Sequence, residues 1–432
     1  MLDLKLIREE PDGVRAALAR RGADLPAIVD EILSKDQEWR AATTSAESTR
    51  ATQKKKSEAF AAAKARGEDA PELRAEMQQM SAQVKTFNDQ ADAAKQTLDA
   101  LVARLPNLPD PTAAPGPADE LVREVGTVPQ LDFSPRDHLE LAGEMIDTER
   151  AARVSGSRFA YLKGDLVMLE LALVRWALEK LARHGFEAVI PPVLVRERAL
   201  YGTGFLPDTE QQIYSLPEDE LYLVGTSEVA LASLHDGEIL DGEALPRRYA
   251  GFSTCFRREA GAAGKDTRGI FRVHQFDKVE MFSFVSPADS TEEHERILAI
   301  EEEILGELAL PYRVVNIAVN DLGNSAAKKY DCEAWIASQG RYRELTSCSN
   351  TTDYQARRLN IRMRGERSAG RRTHTPHTLN GTAVAVGRTI VALLENGQQA
   401  DRSVALPGCL TPYGAPAQLS PAPDALDRRQ QD

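Results

Sequence analysis

Residues 255–280 read Cys255-Phe256-Arg257-Arg258-Glu259, a loop from Ala260 to Gly269, then Arg272-Val273-His274-Gln275-Phe276-Asp277-Lys278-Val279-Glu280. The two basic ends, Arg257 and Arg272, flank a loop rich in glycine and charge. A strand, a loop and a returning strand would set both arginines on one surface. Guanidinium forks grip carboxylate and phosphate groups through paired bonds, and Phe276 offers a flat face to a base. An ordinary surface hairpin would carry similar residues, so the residues alone leave both readings open. The chain has no GxxxxGK[ST] loop and no GxGxxG after a strand. A nucleotide, if it is a substrate at all, would be held by arginines and sheet residues.

Outward from this hairpin, the pattern from about residue 118 mixes α and β. Leu166 to His184 is a long apolar-periodic helix ended by Gly185, and Glu292 to Leu308 is a second. Short apolar runs lie between turns: Ala188 to Val195, Leu221 to Val224, Val279 to Val285 and Tyr312 to Val319. Strands outnumber the crossover helices that a regular parallel sheet requires. The expected class is α+β, a mainly antiparallel sheet flanked by helices, over residues 118–413. Residues 414–432, rich in Pro, Ala, Asp and Gln, are expected to be a disordered tail.

Upstream, five prolines between Leu105 and Pro117 block both helix and sheet, so 106–117 reads as a linker. Before it, Leu73, Met77, Met80, Val84, Phe87, Ala91, Ala94, Leu98, Leu101 and Leu105 alternate steps of four and three, a heptad seam. Ile32, Trp39, Ala46, Gln53 and Phe60 recur every seven residues on a more polar seam. Gly67-Glu68-Asp69-Ala70-Pro71 breaks the helix between them. The pattern predicts an antiparallel coiled-coil hairpin over about 30–105, within an N-terminal domain of residues 1–105. At ~1.5 Å per residue, Leu73 to Leu105 spans roughly 50 Å. On periodicity alone a structural or dimerising coiled coil is the plainer reading.

Hydrophobic residues make up 42% and charged residues 28%, a globular profile. No apolar run approaches the ~20 residues of a membrane helix, and the N-terminus lacks a signal-peptide core. A cytoplasmic chain with no membrane partner is expected. Cys255, Cys332, Cys348 and Cys409 show no CxxC spacing, so free thiols are expected and zinc is not. The net charge of −13 argues against a nucleic-acid partner when taken alone. Its distribution matters more. Arg50, Lys54, Lys55, Lys56, Lys64 and Arg66 share the stretch 50–66 with one acid, Glu58. That is a solvated face, or a place where a polyanion docks.

Three motifs in order resemble the class II aminoacyl-tRNA synthetases. Gly185-Phe186-x-x-Val189-x-x-Pro192 is similar to motif 1. Phe256-Arg257-x-Glu259, a loop and Arg272-x-x-x-Phe276 resemble motif 2. Gly387-Arg388-Thr389-Ile390-Val391-Ala392-Leu393-Leu394-Glu395 resembles motif 3. Longer stretches narrow the likeness to the bacterial-type seryl enzymes: Thr226-Ser227-Glu228, Arg272 to Met281, Glu344 to Asn350, Asp353 to Arg358, and Thr378 to Gly381. The resemblance runs from residue 1 to about 413, helical hairpin included.

The resemblance implies serine–tRNA ligase activity with ATP, L-serine and tRNA(Ser) as partners, tRNA(Sec) as a second acceptor, and a homodimer through motif 1. It implies that Arg257 holds the serine carboxylate and the α-phosphate. Glu259 would read the adenine amino group, Phe276 would stack on the ring, and Arg272 and Arg388 would bind the outer phosphates. Arg258, Val273, Leu345, Thr346 and Ser347 complete the expected ATP set. Glu344 and Ser347 would position Mg²⁺, and Arg257, Arg388 and Glu344 carry the catalytic load. Thr226, Glu228, Arg257, Glu280, Asn380 and Thr382 would form the serine pocket. Arg50, Lys54, Lys55, Lys56, Lys64 and Arg66 are the implied tRNA contacts. His274 reads as structural. Two other readings remain: a paralogue loading serine onto another acceptor, and a non-catalytic regulatory relative. A tRNA-binding arm would serve no purpose in the first. The second predicts lost arginines, yet Arg257, Arg272 and Arg388 are present.

Overall fold

The computed structural model of the chain describes residues 1–207, 213–260, 264, 266–365 and 373–421. It divides into two compact units, Leu2–Leu108 and Pro109–Asp432 together with Met1.

The first unit is built on two long helices, α1 (Leu25–Ala65) and α2 (Pro71–Arg104). Each carries a proline in its first turn, where a missing N–H costs nothing. The chain reverses at Gly67, whose φ of +76° suits a residue without Cβ. Cross-helix contacts fix an antiparallel register. Lys56 pairs with Glu76, the Gln53 amide donates to the Met77 carbonyl at 3.4 Å, Arg74 lies over Phe60 and Lys95 over Trp39. The seam is fully buried near the base, at Ile32, Ala46, Ala91, Ala94 and Leu98, and half-buried from Leu73 to Phe87. At the base, buried Asp36 receives Arg8 through Nε at 2.9 Å and Nη2 at 2.5 Å, and Arg40 Nε at 2.9 Å. This ties helix Leu4–Glu9 to α1.

The second unit is organised by an eight-stranded sheet. Its strands are β1 (Glu120–Val125), β2 (Glu187–Val189), β3 (Arg247–Phe256), β4 (Gln275–Val285), β5 (Tyr312–Asn316), β6 (Lys328–Ile336), β7 (Arg341–Thr352) and β8 (His377–Ala385). The order is β1-β5-β6-β7-β8-β4-β3-β2. Neighbours run antiparallel except β2 and β3, which are parallel. Helices α3 (Asp165–Arg183), α4 (Ser290–Glu307) and α5 (Val386–Gly397) join the sheet in one apolar core. Strand alternation sorts β4. Val279, Met281 and Val285 enter that core, Phe282 and Phe284 enter a second cluster with Tyr249 and Leu359, and Lys278 and Glu280 line a cavity.

The structure departs from the sequence pattern in three places. The apolar run 188–195 is two strands in two sheets, Glu187–Val189 and Leu194–Arg196. Pro191 and Pro192 lie between them and cannot donate to a ladder. From Pro109 the proline-rich stretch belongs to the second unit: Ala113 and Ala114 are buried, and Asp110 N donates to the Ala327 carbonyl at 2.8 Å. Beyond 413, Gln418–Leu419 pairs with Val404–Ala405, and Ala415 and Leu419 enter the core. Residues 422–432 of the expected tail, and 261–263 and 265 of the loop after Glu259, lie outside the described residues.

Candidate active site

Two adjoining cavities open on the sheet over β4, β7 and β8. The first encloses about 630 Å³ of empty space, part of it open to solvent. Arg257, Glu259, Arg272, Val273, Phe276 and Arg388 line it, as do Glu344, Leu345, Thr346 and Ser347 from β7. Arg257 is braced: its Nε donates to the Gly225 carbonyl at 3.0 Å, and its guanidinium sits 5.4 Å from the Phe276 ring centre. Arg272 Nη1 donates to Glu259 Oε2 at 2.6 Å. Arg388 Nη1 donates to the Glu344 carbonyl at 3.1 Å and lies 3.4 Å from Glu344 Oε2. Burial would raise the Glu344 carboxyl, but Arg388, Lys329 and Arg257 outweigh it and hold the group at about 2. It is therefore an anion at neutral pH.

A register shift sets the face that β7 presents. Cys332 pairs with Thr346 and Glu333 with Glu344, so Leu345 is the extra residue of a bulge. Glu344 and Ser347, three apart, consequently line the same cavity.

The second cavity is lined by Thr226, Glu228, Arg257, Glu280, Asn380 and Thr382, with Lys278 among them. Register brings Glu280 opposite Thr382 on β8. The Thr226 hydroxyl accepts from Lys278 Nζ at 2.8 Å and donates to Glu280 Oε2 at 3.0 Å, while Lys278 and Glu280 form a buried ion pair. Burial and then Glu280 push the Glu228 carboxyl up to about 7, against Gln355, Lys278 and Arg257. Arg257, Lys278, Ser347 and Thr382 line both cavities. A group in one can therefore reach a group in the other beside Arg257.

The expected sets converge with one exception. Arg258 is exposed and lies outside both walls. His274 is tied to its neighbours: its Nδ1 donates to the Arg257 carbonyl at 2.9 Å, and its ring packs on Phe159 and Tyr214. The basic residues 50–66 belong to the other unit. There Arg50, Lys54, Lys55 and Lys64 are exposed, Lys56 is engaged by Glu76, and Arg66 by Glu68 at 2.8 Å.

Sequence reasoning missed Lys278, Arg343 and Gln355. Arg343 grips Asp266 through Nη1 at 3.0 Å and Nη2 at 2.7 Å, and stacks 4.1 Å from the Phe271 ring centre, which Arg388 shares at 4.9 Å. Among the described residues no three His, Cys, Asp or Glu side chains converge as a metal cage. The oxygen pair Glu344 and Ser347 fits Mg²⁺ instead, which takes one or two protein ligands and completes its shell with water and phosphate.

A mainly antiparallel sheet, with Arg257 just after β3, Arg272 just before β4 and Arg388 on α5 beside a polar pocket, defines the class. Residues 213–397 match the tRNA synthetase class II core domain (G, H, P, S and T). Residues 1–109 match the seryl-tRNA synthetase N-terminal domain. The chain is 52% identical over 420 residues to serine–tRNA ligase of Acidothermus cellulolyticus, covering 96% of this chain and 98% of that one. It is 51% identical to the Streptomyces coelicolor enzyme, covering 96% and 97%. The crystal structure of seryl-tRNA synthetase from Pyrococcus horikoshii complexed with ATP superposes with a TM-score of 0.93 at 42% identity, covering 98% and 100%. The chain belongs to the seryl-tRNA synthetase family.

Proposed function

We propose that the protein is a serine–tRNA ligase: it activates L-serine with ATP and transfers the seryl group to the 3′ end of tRNA(Ser). One observation carries this reading. The arginine-lined cavity and the polar pocket share Arg257 in their common wall. A serine carboxylate oxygen would attack the α-phosphorus there as the bond to pyrophosphate breaks. Two anions must meet, and Arg257, with Arg272 and Arg388 on the outer phosphates, offsets their repulsion. No general base is needed, because the carboxylate is already ionised. Phe276 offers its ring to adenine, and Glu259, with one oxygen on Arg272, keeps a second to accept the adenine amino group. Glu344 and Ser347 would hold Mg²⁺, which supplies charge neutralisation at the phosphates when bound.

In the pocket, Glu280 and Thr382 take the substrate hydroxyl, and Thr226 and Glu228 its amino end. Alanine would leave Thr382 and the Glu280 oxygen meant for the hydroxyl without that contact, and threonine would be excluded by size. The exposed lysines and arginine of α1 offer a docking surface for tRNA phosphates. A homodimer is proposed through α3 and the segment after β2, where Met168 and Leu171 are exposed at 46% and 55% and Ile190 at 82%. The proposed location is the cytoplasm, where tRNA is charged. ATP–pyrophosphate exchange with each of the twenty amino acids tests the reading. Serine is the expected preference with Mg²⁺ required, and equal activation of threonine or alanine overturns it.

A further inference from the structure

Gln355, on the short helix Tyr354–Arg358, is fully buried behind the second cavity. Its Oε1 accepts from Thr378 Oγ1 at 2.9 Å. Its Nε2 donates to Glu228 Oε1 at 2.7 Å and to the Thr203 carbonyl at 3.4 Å. Thr351 Oγ1 lies 2.6 Å from Thr378 Oγ1 and braces that hydroxyl. These partners fix which way round the amide sits. Turned over, its oxygen would face a carboxylate and a carbonyl, acceptors all, with no proton between it and the carbonyl. An N–H is thus aimed at Glu228 by groups from three separate elements. Leaving such a buried network half satisfied is costly, which keeps the aim fixed.

We propose that Gln355 is a positioning residue for the amino end of the substrate: it fixes the Glu228 carboxylate and favours its anionic form, so that a primary ammonium meets a charge. The proposal rests on the adenylation reading above. The charged groups facing Glu228 are Glu280, Lys278 and Arg257. Burial and Glu280 drive Glu228 towards its neutral acid, and Gln355 leads the groups that oppose them, ahead of Lys278 and Arg257. The balance lies at about 7. Below that pH Glu228 is mainly protonated and binds an ammonium poorly; above it the anion prevails. Loss of the Gln355 donor favours the acid further, so the anion would form only at higher pH.

The test is serine-dependent pyrophosphate exchange by the full chain from about pH 6 to 9, where the rising limb of kcat/KM reports the free enzyme. Gln355→Met should move that limb upward by about one pH unit and raise the serine KM about fivefold at about pH 7 and nearly tenfold at about pH 6. The effect should shrink at the alkaline end, with kcat and the ATP KM changing much less. Thr378→Val, of nearly unchanged shape, should move the limb the same way by less. A KM raised equally at every pH would make Gln355 merely structural and overturn the proposal. If Gln355→Met does not fold, an unmoved limb in Thr378→Val overturns it equally. A parent protein without serine-dependent exchange would instead sink the adenylation reading, and this proposal with it.

Discussion

Glu280→Gln removes one charge from the serine pocket and leaves its partner behind. Glu280 and Lys278 are 2% and 6% exposed and form an ion pair that the Thr226 hydroxyl bridges. Two costs follow, and they can be measured apart. For the substrate, a charge-assisted hydrogen bond becomes neutral, about 1.5–3 kcal/mol, or roughly 10–150-fold in kcat/KM for serine. For the fold, a buried ammonium loses its counter-ion, which costs about 3–5 kcal/mol when a buried pair is broken. The glutamine oxygen still accepts from an ammonium, so the lower end, about 3 kcal/mol, is expected here. The double variant with Lys278→Met buries no unpaired charge. It should recover about 2 kcal/mol, read as a coupling energy, yet remain as poor with serine as the single variant. Urea unfolding followed by tryptophan fluorescence gives the first quantity and pyrophosphate exchange the second. The ATP KM should stay within about twofold throughout. A double variant no more stable than Glu280→Gln would refute the unpaired-charge argument. An unchanged serine KM in Glu280→Gln would make the carboxylate a structural group.

Three further outcomes are expected. Burial would raise the Asp36 carboxyl, but Arg8 and Arg40 hold it below its usual value, so its contribution is complete above about pH 4 and is lost as pH falls through the lowered value. Asp36→Ala should therefore cost about 2–4 kcal/mol at neutral pH, seen as faster amide exchange in helix Leu4–Glu9, and unaltered exchange would deny the tie. Replacing Lys54, Lys55 and Lys64 by Glu should weaken tRNA binding and lower its salt slope by roughly 0.7–0.9 per lost phosphate contact, while pyrophosphate exchange is retained. Leu171→Glu places a charge on the exposed apolar face of α3; sedimentation at micromolar concentration should show the proposed dimer for the parent and a monomer for the variant, and a variant that stays dimeric places the interface elsewhere.

The sequence makes local chemistry plain and hides what pairs with it. The hairpin is legible because a heptad seam and a Gly-Pro interruption are local signals, and α1, α2 and the reversal at Gly67 follow them. The basic stretch shows the limit of that reading. Lys56 looks like its neighbours Lys54 and Lys55 until the second helix supplies Glu76 across the seam. The run 188–195 misleads for a related reason. Its apolar residues outweigh Pro191 and Pro192 in the pattern, although two missing N–H groups suffice to split it between sheets.

The pocket divides the same way. Alternation along β4 sends Phe276, Lys278 and Glu280 to one side, a period of two visible in the sequence itself. A lysine in a strand nevertheless reads as surface, and only the fold puts Lys278 between Glu280 and Thr226, some fifty residues away. Gln355 is less legible still. Its partners Thr203 and Glu228 lie 152 and 127 residues upstream and Thr378 lies 23 downstream, so no spacing marks it. An amide is neutral and carries no charge signature either. What identifies it is that each of its polar atoms has a buried partner, and that one of these is a carboxylate facing a cavity. Residues that bind substrates must present unusual chemistry to it, and sequence reveals them by type. Residues that hold the binders in place need only the right neighbours, and those neighbours exist once β7 and β8 have paired around them.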